Sequence, residues 1–115
     1  MPSATFDRFD GVVVPFPFTD KAATKRRPAL VLSAARQFNT RAGHSVMAMI
    51  TRATENAWPH DIRLADLKSA ALSVQCPVRF KLFTIDNRLV LRRSGRLGKA
   101  DRGVVEKNPQ FVFAL

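Results

Sequence analysis

Short apolar runs alternate with polar turns along most of this chain, and the pattern is typical of short β-strands. Four runs are rich in β-branched and aromatic residues, and two weaker ones follow the same rule. The clear runs are "GVVVPFPF" (11–18), "PALVLS" (28–33), "SVMAMITR" (45–52) and "PVRFKLFTI" (77–85). The weaker runs are "HDIRL" (60–64) and "RLVLRR" (88–93), with Asp86 and Asn87 as a turn before the latter.

The first run contains Pro15 and Pro17. Proline has no backbone N–H to donate to a central ladder of hydrogen bonds. We therefore expect this strand to end, or to lie at a sheet edge, where the prolines occur.

Two segments favour helix. Asp66 is a suitable cap for a short helix over "LKSAAL" (67–72). The stretch "GKADRGVVEK" (98–107) predicts a C-terminal helix, which Asn108 and Pro109 should end. A parallel sheet needs crossover helices of roughly a dozen residues, and the pattern contains too few. The prediction is one mainly β domain over residues 1–115, a small curved antiparallel sheet or barrel with short helices.

The net charge of the chain indicates what kind of partner it binds. The chain of 115 residues has 19 Lys and Arg against 9 Asp and Glu, a formal net charge of +10. Such an excess favours a polyanionic partner, with nucleic acid ahead of an anionic membrane or an acidic protein. Cys76 is the only cysteine, which fits a reducing cytoplasm. Apolar runs stay well short of the roughly 18 residues of a membrane span, so we expect no membrane insertion.

The most distinctive polar stretch is "FTDKAATKRRPALVLS" (18–33), where three cations precede a proline and a strand. The sequence predicts a polar loop that ends at Arg27. Proline at position 28 biases Arg27 towards extended geometry, and the strand then fixes its direction. Its guanidinium would be the most rigidly held of the three, with a planar fork that matches phosphate oxygens. Lys25 and Arg26 are expected to sample solvent and to act through their charge.

Two other places can contact a phosphate backbone. Thr51 ends its strand on the same face as Met47 and Met49, where its hydroxyl could donate to a phosphate oxygen. In "VRFKLFT" the side chains of Arg79, Lys81 and Phe83 share one face. Arg79 and Lys81 would stand roughly 6.6 Å apart, close to the phosphate spacing of an extended single strand, and Phe83 could stack a base.

Other chemistries lack their motifs in this sequence. It has no glycine-rich phosphate loop, no nucleophile elbow and no metal-ligand spacing, so we expect no cofactor and no metal. His44 and His60 are the only histidines. Either could exchange a proton near neutral pH, although a role as a loop residue is the simpler interpretation.

Taken in order, these segments closely resemble the MazF/PemK family of toxin endoribonucleases. The matching segments are "GVVVPFPFTD", "KRRPALVLS", "MITR", "ADLKSAAL", "VRFKLFTID" and "RSGRLGKAD", spread over about residues 11–105. The resemblance implies an SH3-like β-barrel of the kind shared by CcdB and PemK toxins, usually dimeric, with a C-terminal helix. It implies metal-independent cleavage of single-stranded RNA in the cytoplasm, and a cognate antitoxin whose acidic, flexible tail covers the RNA groove.

The resemblance also implies site residues. Arg27 matches the arginine of the family's "RP" motif, Thr51 matches a threonine that ends the third strand, and Arg79 matches an arginine that some members use. These three are the predicted catalytic residues, and Lys25, Arg26, Lys81 and Phe83 are predicted to bind RNA.

The sequence departs from the family pattern at several points. "AAT" (22–24) replaces a common "GxE", and "QCPVR" (75–79) stands where relatives often have "PSVVR". Lys81 stands where some relatives place an acidic residue, and Pro109 interrupts a helix that is normally longer. The general base therefore stays open between His60, Asp20 and water. Two alternatives to an RNase also remain: a toxin of the same fold that acts by protein contact, as gyrase poisons do, and a plain RNA-binding module.

Overall fold

The structure is a computed structural model, and it describes residues 5–16, 25–51 and 57–114. Its centre is a five-stranded antiparallel sheet with the strand order β4-β3-β2-β1-β5. The strands are β1 (Asp10–Phe16), β2 (Lys25–Val31), β3 (His44–Ile50), β4 (Val78–Asp86) and β5 (Arg92–Arg96). The helices are α1 (Thr40–Ala42), which follows a π-helical turn (Ala35–Asn39), and α2 (Lys99–Val112). The predicted mainly β fold with short helices is confirmed.

Apolar side chains cover both faces of this sheet. Along β3 they alternate as period two requires: Ala48 and Ile50 pack into one cluster, which also holds Val105 of α2, and Met47 packs into the other. All four side chains are fully or almost fully buried. Burial of one large apolar side chain stabilises a fold by roughly 1.5–3 kcal/mol, so the double-sided core fixes the register of the central strands.

The prolines of β1 and β2 lie where the ladder does not need their N–H. Pairing of β1 with β5 stops at Val13, so Pro15 lies on a locally unpaired edge of β1, as predicted. Pro28 is the partner of Val13, whose carbonyl accepts a hydrogen bond from Leu91 on the β5 side (2.9 Å). The Pro28 nitrogen therefore points away from β1, and pairing with β3 begins only at Ala29.

The predicted end of the loop at Arg27 is wrong, because the three cations belong to strand β2. Lys25, Arg26 and Arg27 pair with Phe16, Pro15 and Val14 of β1. Extended pairing suits a residue that precedes proline, since proline disfavours the helical region for it. All three cations are thus held on the sheet. Pro17 and Asp20 fall outside the described residues.

Three further boundaries differ from the prediction. The run 60–64 is no strand and has only an isolated bridge between Ile62 and Val78. Residues 67–72 form hydrogen-bonded turns, in which the Asp66 carboxylate accepts from the Ser69 N–H (3.0 Å) and hydroxyl (2.6 Å). The run 88–93 starts with a 3-10 turn (Asn87–Leu89), and β5 begins only at Arg92.

Helix α2 does not end before Pro109 as predicted, but continues through it. Proline removes one hydrogen bond from the helix interior, so the last turn needs other support. The Phe113 N–H still donates to the Pro109 carbonyl (2.9 Å), and the Asn108 side-chain amide donates to the His60 carbonyl (2.7 Å). Tertiary contacts therefore hold the helix beyond the position where local propensity favours a stop.

Hydrogen bonds also fix the long connection that precedes β4. The buried Asp101 carboxylate of α2 accepts from the backbone N–H groups of Ala65 (2.8 Å) and Asp66 (2.9 Å). The Gln75 side chain bonds the Leu64 backbone in both directions, at 3.2 and 3.0 Å. These contacts position residues 57–66, which reach one end of the sheet.

Candidate functional site

An open pocket of about 410 Å³ lies at one end of the sheet. Because neighbouring strands are antiparallel, the end of β1 and the start of β2 meet there, beside the end of β3 and the start of β4. The lining residues are Phe16, Arg26, Arg27, Pro28, Met49, Ile50, Thr51, Cys76, Arg79 and Lys81. Four of them are cations, and among the residues that the structure describes the lining includes no carboxylate.

The register of the sheet brings Arg27 towards Thr51. Pairing of β2 with β3 joins Ala29 to Met49, and the same register continued by two positions sets Arg27 opposite Thr51. The backbone of Thr51 is itself fixed, because its N–H donates to the Pro77 carbonyl (3.1 Å). Two predicted site residues, 24 positions apart in sequence, therefore share one pocket.

Arg79 enters the pocket from β4 and is held by an ion pair. Its guanidinium donates to both carboxylate oxygens of Asp61, from Nε at 3.3 Å and from Nη2 at 3.1 Å. Both side chains are mostly buried, with 10% and 16% of their surface exposed. A bidentate pair of this kind restricts the guanidinium to one orientation.

The protonation state of Asp61 follows from these contacts. Burial by itself raises the pKa of the Asp61 carboxyl, but hydrogen bonds from Arg79 and from the Trp58 N–H, together with the Arg79 charge, hold it below its usual value. The carboxyl is therefore ionised at neutral pH, and it holds the Arg79 guanidinium in place.

An irregularity in β4 exposes the second cation of this strand. Ala48 pairs with Leu82, whereas the next residue, Met49, pairs with Arg79, so Phe80 and Lys81 have no partner on β3. Such an irregularity re-aims the side chains of the bulged strand. Lys81 is exposed at the pocket, and its Nζ lies 5.9 Å from the centre of the Trp58 ring.

The structure brings together five of the seven predicted site residues, namely Arg26, Arg27, Thr51, Arg79 and Lys81. Lys25 is exposed at the start of β2 and does not line the pocket. Phe83 is partly buried against the core cluster of Met47, its partner on β3. Shared strand periodicity predicted its face but not this packing. The roles of all seven residues stay predictions.

Sequence reasoning missed Trp58 and Asp61. The Trp58 ring lies 5.4 Å from Cζ of Arg79, and Asp61 is the counter-ion of that arginine. A signal existed in "WPHD" (58–61), which contains the only tryptophan of the chain and a carboxylate three positions later. Nothing local, however, indicated that this turn folds against β4.

Of the two side chains considered as the general base, the structure describes only His60. His60 lines a neighbouring pocket instead, and its backbone has a positive φ of 62°. Asp20 lies outside the described residues. In the described ranges no group of three or more His, Cys, Asp or Glu side chains could hold a metal ion. No helix in those ranges combines the length and apolar character that a membrane span requires.

A family model matches the part of the chain that forms this pocket. Residues 7–110 match the model of the PemK-like, MazF-like toxins of type II toxin–antitoxin systems. The chain belongs to this family. The match covers all five strands and most of α2, so it includes every residue that lines the pocket.

Solved structures support the same fold. A MazE–MazF complex (Form-II) from Deinococcus radiodurans is 21% identical, over 97% of this chain and 98% of that one, with a TM-score of 0.72. An endoribonuclease from a Mycobacterial species is 12% identical, over 100% and 97%, with a TM-score of 0.75. An endoribonuclease in complex with its cognate antitoxin, also Mycobacterial, is 12% identical, over 96% and 95%, with a TM-score of 0.73. A search of curated protein sequences found no significant match.

The ion pair at the pocket predicts a pH-dependent contribution to stability. Because the pKa of Asp61 is lowered in the folded protein, its stabilisation is complete above the unfolded pKa and is lost as the pH falls through the folded one. At pH 7 we expect Asp61→Asn to lower the free energy of unfolding by about 2 kcal/mol. The difference from wild type should shrink as the pH falls below about 4.

Urea unfolding at several pH values measures this difference. Glu106→Gln, at an exposed position of α2, is the matched control and should differ little from wild type throughout. A pH-independent loss in Asp61→Asn would mean that lost packing, rather than the ion pair, explains the effect.

Proposed function

We propose that this toxin is an endoribonuclease that cleaves single-stranded RNA in the cationic pocket without a metal ion. The observation that carries the proposal is the meeting of Arg27, Thr51 and Arg79 in one pocket whose described lining has four cations and no carboxylate. Such a lining suits a phosphodiester anion and offers no ligand set for a divalent cation.

RNA carries its own nucleophile, so the protein need only orient and stabilise. The 2′-hydroxyl oxygen attacks the adjacent phosphorus, the bond from phosphorus to the 5′-oxygen breaks, and the products are a cyclic phosphate and a free 5′-hydroxyl. Solvent water takes the 2′ proton and supplies the one that the 5′-oxygen needs. The open pocket admits water, whereas arginine is a poor base because its pKa exceeds about 12.

The pocket residues then have separate roles. Arg27 stabilises the negative charge that develops on the non-bridging oxygens, and Thr51 donates a hydrogen bond to one of them. Arg79 acts from β4, which lies on the other side of β3, and Asp61 sets its orientation. Fixed donors of this kind lower the barrier because no reorganisation is needed at the moment of reaction. Arg26 and Lys81 hold neighbouring phosphates through their charge.

The test of the proposed function is cleavage of RNA in excess chelator. Pure protein should cut a single-stranded RNA and leave a cyclic phosphate at one new end and a 5′-hydroxyl at the other, both identified by mass spectrometry. Replacing the 2′-hydroxyl at the cut site by hydrogen should abolish that cut, since the nucleophile is gone. Robust cutting of the deoxy-substituted strand, or loss of activity with chelator, would contradict the mechanism. Binding without any cutting would favour a plain RNA-binding module.

A series of variants tests the division of roles among the cations of β2. Arg27→Ala should reduce single-turnover cleavage at saturating protein by roughly 10²–10³, the cost of one fixed charge-stabilising donor. Arg27→Lys should recover little, because lysine keeps the charge but loses the planar fork.

Lys25→Ala is the matched control, two positions away on the same strand but outside the pocket. It should weaken RNA binding modestly and lower the salt dependence by about one unit, with nearly normal cleavage at saturation. Near wild-type cleavage by Arg27→Ala under these conditions would show that the β2 cations only attract RNA.

We further propose that a cognate antitoxin with an acidic flexible segment inhibits the protein by occupying the same cationic surface, and that the toxin is a homodimer. The net charge of +10 and the solved antitoxin complexes of similar fold support the inhibition by an antitoxin, and the homodimer rests on the family resemblance. A purified antitoxin in excess should stop RNA cleavage, and its effect should weaken with rising salt. Unchanged cleavage with the antitoxin bound would contradict competition for the RNA site.

A further inference from the structure

A second pocket, of about 520 Å³, lies beside the cationic one. Its lining is mostly apolar, and it consists of Trp58, Pro59, His60, Phe80 and Val112. The Trp58 side chain is the centre of this surface, with 42% of its area exposed although it is a large aromatic group. An exposed indole at the rim of a pocket is typical of a binding surface.

The two pockets meet across the edge strand β4. Arg79 and Lys81 line the cationic pocket, and their charged groups lie 5.4 and 5.9 Å from the centre of the Trp58 ring. Phe80 lies between them in sequence and lines the second pocket. The charged groups of Arg79 and Lys81 thus lie directly beside the aromatic surface of the second pocket.

The same carboxylate that orients Arg79 also orients Trp58. Oδ2 of Asp61 accepts from the backbone N–H of Trp58 (3.0 Å), and the backbone N–H of Asp61 donates to the Trp58 carbonyl (3.2 Å). The next residue, His60, is tied through its carbonyl to Asn108 of α2 (2.7 Å). The backbone of Trp58 is therefore fixed before any ligand arrives, and its ring already lies against Arg79 and Lys81, which reduces the entropy cost of binding.

We propose that this second pocket binds one nucleobase of the RNA strand whose backbone lies in the cationic pocket. A nucleotide joins a flat, largely apolar base to an anionic phosphate through one sugar, and this surface offers an aromatic ring and two cations in the same relation. Stacking on tryptophan accepts any base, so the pocket supplies affinity and fixes the position of the strand rather than reading its sequence. The inference rests on the proposed RNA-directed function.

The tryptophan itself reports on the test. Trp58 is the only tryptophan and the chain has no tyrosine, so its fluorescence isolates this pocket. The probes are fully 2′-O-methylated copies of an RNA that the protein cuts, which lack the nucleophile and whose register is set by the cut site, and a series of these copies with one abasic position each. The intact oligonucleotide should quench Trp58. One abasic position should remove most of the quenching and weaken binding roughly 5- to 100-fold, the effect expected of one stacked base, and the other positions should have little effect.

Variants give an independent measurement by fluorescence anisotropy of a labelled oligonucleotide. Trp58→Ala should weaken binding by the same factor as the critical abasic position, and it should not weaken binding of that abasic copy further. Trp58→Phe should retain most of the affinity, since it keeps a ring. Leu91→Ala is the control, because Leu91 is also exposed (48%) but lies next to β5, the opposite edge of the sheet. It should bind as wild type does.

The outcomes separate this inference from the proposed function. Tight binding of RNA with no change in Trp58 fluorescence, or equal quenching by every abasic copy, would overturn the base pocket and leave the endoribonuclease standing. Absence of RNA binding and of RNA cleavage would overturn both. Quenching by an acidic peptide but by no oligonucleotide would assign the pocket to a protein partner, and would likewise overturn the proposal.

Discussion

The candidate site depends on one constraint, which is that several cations must be held close together at the end of a small sheet. Like charges repel, and in solution their side chains would spread apart. On β2, antiparallel pairing with β1 fixes the backbones of Arg26 and Arg27, so that their side chains start from neighbouring positions at the pocket. On β4 the charge of Arg79 is compensated by the Asp61 carboxylate, which is not among the described residues that line the pocket.

Asp61 links two parts of the molecule, which the bridge between Ile62 and Val78 also joins. Through Arg79 it is connected to the sheet, and through the Trp58 turn it is connected to the segment that follows the third strand. Asn108 on α2 then holds the neighbouring His60. The C-terminal helix thereby contributes to the geometry of the pocket without lining the cationic part. Its continuation through Pro109 places Val112 in the lining of the second pocket.

Membership of the toxin family and the chemistry of the pocket support each other, but they carry different information. The family match establishes the toxin family, and the solved structures support the fold. Their identities of 21% and 12% leave the residues of this chain to be argued from its own geometry. That geometry favours a phosphate-binding pocket with fixed donors. It also adds an aromatic surface beside it, which neither the family pattern nor the charge count predicted.

The sequence by itself determined the four clear strands, the cationic balance and the residues of the "KRRP" segment, because period-two alternation, charge and proline act locally. Tertiary structure alone decided where those residues meet. Pairing with β1 turned the predicted loop at Lys25 into strand, since partner strands supply hydrogen bonds that no local pattern reveals. Packing partly buried Phe83 against Met47, and the hydrogen bond from Asn108 to His60 supports α2 where it passes Pro109. The contact of Asp61 with Arg79 spans 18 positions, and such pairs depend on how the chain folds back rather than on the residues near either one.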